Sequence, residues 1–240
     1  MTTIAPKVAV VTCITAGVDD LHEPCPQSVK CDYYCFYDKE PRHAVDTAWK
    51  LCKAAHHPKI PELRRNGKLL AKWYKMQSHK IRVLRNYHYI LWVDGSIKIN
   101  NRRFVAHYVR ATSSGICLFK HPWRDCIYKE FERVKASDEC GRSRVMEQIK
   151  AYNSIRYPRS NGLYCGTVIG RYKNSYTDRV MDAWWAEVVK WSMRDQISLP
   201  YVLWRNKMKP DIFPHDIYSN KYIEKVPHTA IYYYYYRRNK

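Results

Sequence analysis

Short unbroken apolar runs alternate along the chain with longer segments of mixed polarity. KVAVVTCI (residues 7–14) reads as a fully buried strand, and the polar stretch AGVDDLHEP after it as a loop. CDYYCFYD (31–38) predicts a second strand ending on Asp38, and YHYILWVD (87–94) a third ending on Asp94. Residues 44–56 and 68–84 carry helix-compatible patterns. Further along, RFVAHYVRA (103–111) predicts a helix, GICLFKHP (115–122) a strand, and residues 125–152 a long polar helical stretch. NGLYCGTVIGRY (161–172) predicts a strand punctuated by glycine. Within 178–193, Val180, Met181, Trp184, Trp185, Val188 and Val189 form the stripe of a helix packed on a core. Another helix is expected over 196–204, and the tail from Lys209 reads as irregular.

Strands that are continuous apolar runs, alternating with helices, predict a mainly parallel α/β sheet flanked by helices. In open sheets of this kind ligands bind beyond the carboxyl ends of the strands. The loop after Ile14, Asp38 and Asp94 are therefore expected on one edge.

The 240 residues fit one large domain, and 46% apolar content suffices for a substantial core. A formal charge of +20 attracts polyanions: nucleic acid, anionic membrane or phosphate-bearing substrates. The basic residues are spread along the chain, which argues against a dedicated nucleic-acid arm. Among the nine cysteines, Cys25, Cys31 and Cys35 lie close together without the CxxC pairs of structural zinc. Reduced, mostly buried thiols are expected. No apolar stretch approaches the ~18 residues of a membrane span. A soluble, cytoplasmic protein is therefore expected.

Asp94 has two readings. Asp-Gly is a common turn pair. A carboxylate at the mouth of a sheet also suits a divalent cation that in turn holds a diphosphate, with Gly95 letting backbone approach the ligand. Asp195 reads either as the cap of the following helix or as a catalytic carboxylate, with Arg194 its ion-pair partner or a phosphate contact. Lys72 and Lys75 stand at helical spacing, with His79 or Lys80 beyond them, and form either a solvated face or a phosphate-facing one. His121, Arg124 and Asp125 cluster in KHPWRD. Asn161 and Gly162 mark a place where a sugar could lie against backbone. His215 and His228 are two tail histidines open to metal or solvent. Trp92, Trp123 and Trp204 are possible sugar platforms, although large aromatics more often belong to the core.

VAVVTCITAGVDDLHEP with DYYCFYD, AKWYKMQSHKI, ILWVDGSIKI, CLFKHPWRDCIYKEFE, YPRSNGLYCGTVIGRY and WWAEVVKWSMRDQISLPYVLW occur in this order. Together they resemble the glycosyltransferase-like domain of the plant mucilage-related and turgor-regulating proteins, a family with bacterial and viral members. The resemblance implies a GT-A glycosyltransferase fold over residues 1–240. The nucleotide-binding half would be 1–100, the acceptor half 101–208, and the tail 209–240. It implies transfer of a hexose or deoxyhexose from a nucleoside-diphosphate sugar, UDP-linked by preference, to a glycan or glycoprotein, assisted by Mn²⁺ or Mg²⁺.

Carried over by position, Asp94 falls on the first acidic residue of an Asp-x-Asp-type motif whose second place is Ser96. The implied metal ligands are Asp94, Ser96 and His228, with His228 favoured over His215. Thr12, Ile14, Ala16, Asp38, Lys72, Lys75, Val93, Asp94, Gly95, Ser96, His121, Arg124, Asn161 and Gly162 are the implied nucleotide-sugar contacts. Asp195 and Gln196 take the catalytic position. If the reaction inverts the anomeric centre, Asp195 is the general base. If it retains configuration, Asp195 stabilises positive charge or orients the donor. No nucleic-acid partner is expected, while contact with anionic membrane fits the basic surface. Two other functions stay open: a basic nucleic-acid binder, and an inactive sugar-binding module suggested by Ser96.

Overall fold

The computed structural model describes residues 6–55, 63, 66–135 and 142–228. Its centre is a sheet of seven strands in the order β3-β2-β1-β4-β7-β6-β8. These are β1 (Val8–Ile14), β2 (Cys31–Tyr37), β3 (Trp49–Lys53), β4 (Tyr89–Val93), β6 (Ile116–Lys120), β7 (Tyr164–Tyr172) and β8 (Asp211–Ile212). Strands β1 to β4 are mutually parallel, whereas β7 lies antiparallel to both β4 and β6. A small second sheet pairs β5 (Ile97–Ile99) with β9 (Ile223–Lys225). The expected mainly parallel α/β sheet is present, with helices on both faces.

Strand periodicity divides the core. From β1, Ala9, Val11 and Cys13 join one apolar cluster, which contains residues of α1 (Gly67–Met76), α5 (Ser175–Lys190) and α6 (Asp195–Arg205). Val8, Val10 and Ile14 join the other, with α2 (Phe104–Ala111) and the tail residues Phe213 and Tyr222. A third cluster packs α3 (Ile127–Lys135) and α4 (Arg142–Ser154) against α6.

Four expectations are corrected. Within 44–56, the described residues form strand β3, not a helix. WKLCK is too short for its own period to decide between the two. Pairing with the edge of β2 decides instead, and Trp49 packs edge-on against Tyr33 with ring centroids 5.2 Å apart. The long stretch 125–152 is α3 and α4, with 136–141 outside the described residues. Of 68–84, only the portion through Met76 is α-helical, and two single 3₁₀ turns follow. The tail is not wholly irregular, because β8 adds to β6 and β9 to β5. The eight described cysteines are free thiols, five of them buried, while Cys140 lies outside the described residues. No described helix is long and apolar enough to cross a membrane.

Candidate active site

Helix α1 starts on Asn66, whose side chain accepts a hydrogen bond from Leu69 N at 3.0 Å. Its inward face carries Leu70, Trp73, Tyr74 and Met76, and Lys75 is buried among them. Lys72 stands three residues before Lys75, so the two ammonium groups share one side of the helix. They converge on Asp195, the first residue of α6. Asp195 Oδ2 lies 2.8 Å from Lys72 Nζ and 3.1 Å from Lys75 Nζ. Lys75 Nζ is also 3.2 Å from Asp94 Oδ1, just past the end of β4. Asp94 Oδ1 accepts a second bond from Trp92 Nε1 at 2.7 Å. Gly166 of β7 closes the group: a Cβ there would come within 3.4 Å of both Asp195 Oδ2 and Lys75 Nζ.

Two carboxylates and two ammonium groups thus form one chain, Lys72–Asp195–Lys75–Asp94. Burial by itself would raise the pKa of Asp195, but Lys72 and Lys75 overcome it and hold the carboxyl far below the usual range. Burial lowers Lys72, against the pull of Asp195. Burial also works to lower Lys75, yet Asp195 and Asp94 together outweigh it and keep this ammonium above its ordinary value. Only Lys75 is in direct contact with both carboxylates, and its charge pushes Lys72 down further.

Around the other side of Gly95 lies a second pair. Asp19, in the loop after β1, is buried and meets His228 Nδ1 at 2.7 Å. That hydrogen bond is the main reason the imidazole pKa is raised. A Cβ on Gly95 would sit 2.7 Å from Asp19 Oδ2 and 3.1 Å from Ile14 Cγ1. A Gly95→Ala variant is therefore expected to push Asp19 aside, costing about 1–3 kcal/mol of stability by urea unfolding and weakening ligand binding at this rim.

Thr12, Ile14, Val93, Asp94 and Gly95 line one crevice with Asp20, Leu21 and His22. It measures about 10 Å³, room for about one water. Thr12 Oγ1 is buried there with no hydrogen-bond partner among the described residues, which leaves one polar atom for a ligand to satisfy.

The remaining expected residues fall elsewhere. Asp38 Oδ1 accepts from Ala16 N at 2.8 Å and so ties down the loop after β1. His121 is buried, and its Nδ1 accepts from Trp123 N and Arg124 N. Burial, then Arg124, lowers its pKa, so it stays neutral and organises its own loop. Arg124 and Arg194 both donate to the fully buried Glu130, so Arg194 is not the partner of Asp195. Asn161 and Gly162 lie on a separate cleft with Trp204. Gln196 Nε2 reaches Tyr164 O at 3.4 Å. Trp92 is buried and orients Asp94, whereas Trp123 is 68% exposed and stacks on Tyr218. His215 packs at a tilt against the rings of Phe213 and Tyr222.

Sequence reasoning missed Asp19, Glu130 and Gly166. Nothing in VDD separates Asp19, buried with His228, from Asp20, which pairs with the exposed Arg42. Gly166 carried a weak signal as one of the glycines punctuating a strand.

Asp94 offers a half-exposed hard oxygen. Ser96 is buried, and its carbonyl accepts from Val226 N at 2.9 Å. Among the described residues no three His, Cys, Asp or Glu side chains converge as a metal cluster. Asp94 follows Trp92 toward the helix α1 face, while Asp19 and His228 stand beyond Gly95. The residues fit a cation only in company with oxygens that the ligand itself brings, as a diphosphate would.

The family described as TOD1/MUCI70, glycosyltransferase-like domain, matches residues 1–228. No curated protein matches the chain.

Proposed function

Since the chain belongs to the TOD1/MUCI70 glycosyltransferase-like family, we propose that it transfers a hexose or deoxyhexose from a nucleoside-diphosphate sugar to a glycan or glycoprotein. The observation that carries this reading is Lys75, placed 3.2 Å from rim Asp94 and 3.1 Å from buried Asp195. That arrangement couples the edge where a diphosphate would sit to the carboxylate where a sugar would sit.

Breaking an anomeric C–O bond builds positive charge on the sugar and negative charge on the departing diphosphate. Groups fixed in advance near both charges lower the barrier more than they tighten ground-state binding. The nucleotide, UDP by preference, would sit with its base beside Thr12 and Ile14, which requires the crevice there to open beyond its present volume of about 10 Å³. Asp94 faces its diphosphate, with Ser96 and His228 as further candidate ligands of Mn²⁺ or Mg²⁺. A cation bound there would neutralise leaving-group charge. Lys75 holds Asp94 in place and adds positive potential at the same oxygens.

Asp195 takes the second of the two roles open to it. A carboxyl held far below its usual range by two ammonium groups has little affinity for a proton at neutral pH, so it makes a poor general base. It orients Lys72 and Lys75 and stabilises charge on the sugar. The acceptor hydroxyl proton then passes to an oxygen of the departing diphosphate, which favours retention of configuration.

A panel of nucleoside-diphosphate sugars, screened for binding and hydrolysis with and without Mn²⁺, tests the proposal. Binding of one nucleotide class, strengthened by Mn²⁺, supports it. Salt-sensitive binding to DNA or RNA with no response to any nucleotide-sugar contradicts it.

A further inference from the structure

Asp94 has two carboxylate oxygens, and the chain uses them unequally. Trp92 Nε1 donates to Oδ1 at 2.7 Å, and Lys75 Nζ meets the same Oδ1 at 3.2 Å. Among the described residues, no hydrogen bond or ion pair falls on Oδ2. The Asp94 side chain keeps 34% of its surface exposed. One oxygen is thus tied inward, and the other is left for whatever meets the rim.

Strand geometry makes this arrangement. Trp92 in β4 and Asp94 just past its end are two apart, so their side chains leave the same side of the sheet. That side carries the apolar cluster holding Leu70, Trp73 and Tyr74 of α1. Trp92 is buried there, between Val11 of β1 and Ile169 of β7. A buried indole N–H needs an acceptor. The one it has is a carboxylate, which makes a stronger bond than a neutral oxygen. Lys75 Nζ also lies 5.7 Å from the centre of the Trp92 ring, within cation–π range. Indole, ammonium and carboxylate therefore brace one another. Filling the core needs only a large ring, and phenylalanine would supply one with no donor to satisfy. The N–H is the part of Trp92 that packing does not explain.

We propose that Trp92 is a positioning residue that makes Asp94 a one-oxygen ligand, and that it thereby selects a compact divalent cation over Ca²⁺ in the nucleotide-loaded site. This role rests on the glycosyltransferase reading. Ca²⁺ draws on many oxygens in a flexible shell and often takes both oxygens of a carboxylate. Mg²⁺ is held through one or two carboxylates together with substrate phosphates. With Oδ1 held by two donors, Asp94 does not offer both oxygens to a large ion. Its remaining oxygen and a diphosphate suit the smaller shell.

The test is electron paramagnetic resonance of Mn²⁺ bound to the full chain with UDP, with Ca²⁺ as competitor. The proteins are wild type, Trp92→Phe and Val180→Ala. Val180 is fully buried in the same apolar cluster, on α5. Its truncation lowers stability and leaves the Trp92–Asp94 bond in place. At the wild-type site Ca²⁺ is expected to displace Mn²⁺ severalfold less readily than it does from free UDP. In Trp92→Phe, UDP-dependent Mn²⁺ affinity is expected to fall about tenfold, and discrimination against Ca²⁺ to move toward that of free UDP. Val180→Ala is expected to lower the melting temperature and to leave both quantities unchanged.

Unchanged Mn²⁺ affinity in Trp92→Phe, an equal loss in Val180→Ala, or Ca²⁺ competing at the wild-type site as well as on free UDP would each overturn the proposal. The bond itself is read from the Trp92 indole N–H proton resonance, assigned by its absence from Trp92→Phe. That resonance is expected to move upfield in Asp94→Asn, and an unmoved one overturns the positioning alone. A wild type without UDP-dependent Mn²⁺ binding, beside an indole resonance that does move, overturns the donor reading and with it the selection of the cation.

Discussion

Lys75→Met is expected to reduce sugar transfer by about 10²–10³-fold and to destabilise the fold by about 3 kcal/mol. Methionine keeps the length of the side chain and its contacts on the inward face of α1, so lost packing is a minor term. The charge is the major one. Without it, among the described residues Asp195 keeps Lys72 as its ion-pair partner and Asp94 keeps the Trp92 N–H. A buried carboxylate loses half of its compensation. The rim carboxylate also loses the contact that fixes its direction. Urea unfolding measures the first effect and a transfer assay under saturating donor the second. Lys75→Arg, which retains charge, should recover most of the stability but less of the rate, because its planar fork does not reproduce two contacts made by one ammonium. Wild-type transfer in Lys75→Met would remove Lys75 from the mechanism.

Asp195→Asn is expected to lower transfer by about 10²-fold while donor binding is retained. The amide preserves shape but leaves Lys72 and Lys75 facing each other with no anion between them. Stability carries a pH signature. Asp195 has a depressed pKa in the folded chain, against about 3.9 when unfolded. Its contribution is therefore fully present above the unfolded value and is lost as pH falls below it toward the folded one. The stability gap between wild type and Asp195→Asn should be constant from neutral pH to about pH 5, then shrink steadily toward about pH 2. A gap that widens on acidification would contradict the ion-paired assignment. A general base would behave differently in kinetics too, giving an acidic limb in the rate profile near the ordinary carboxylate range.

Much of this site was legible in the sequence because it stands on long, regular elements. A continuous apolar run ending in Asp94 located the sheet edge, and the spacing of Lys72 and Lys75 placed both on one side of a helix. Asp195 was found as a carboxylate at the start of a helix. The partners were less legible. No local pattern says that the lysines of α1 meet a carboxylate more than a hundred residues away. As a result, Arg194 was a natural candidate partner for Asp195 until Glu130 claimed it. Asp19 is invisible for the same reason, since its burial depends on His228 returning from the other end of the chain. The strand Trp49–Lys53 was misjudged because an edge strand is defined by its neighbour, and five residues fit either period. His121 and Arg124 form a hydrogen-bond network within their own loop. A histidine accepting backbone N–H groups leaves no trace in sequence that separates it from a ligand.

In the proposed reaction Asp94 meets the diphosphate of the donor at the rim of the sheet. The most direct test of that contact is the electron paramagnetic resonance of Mn²⁺ titrated into the full chain with and without UDP, on wild type and Asp94→Ala. Weak Mn²⁺ binding is expected for the wild type alone, with marked tightening when UDP is added and loss of that tightening in Asp94→Ala. Equal UDP-dependent tightening in both proteins would contradict that contact.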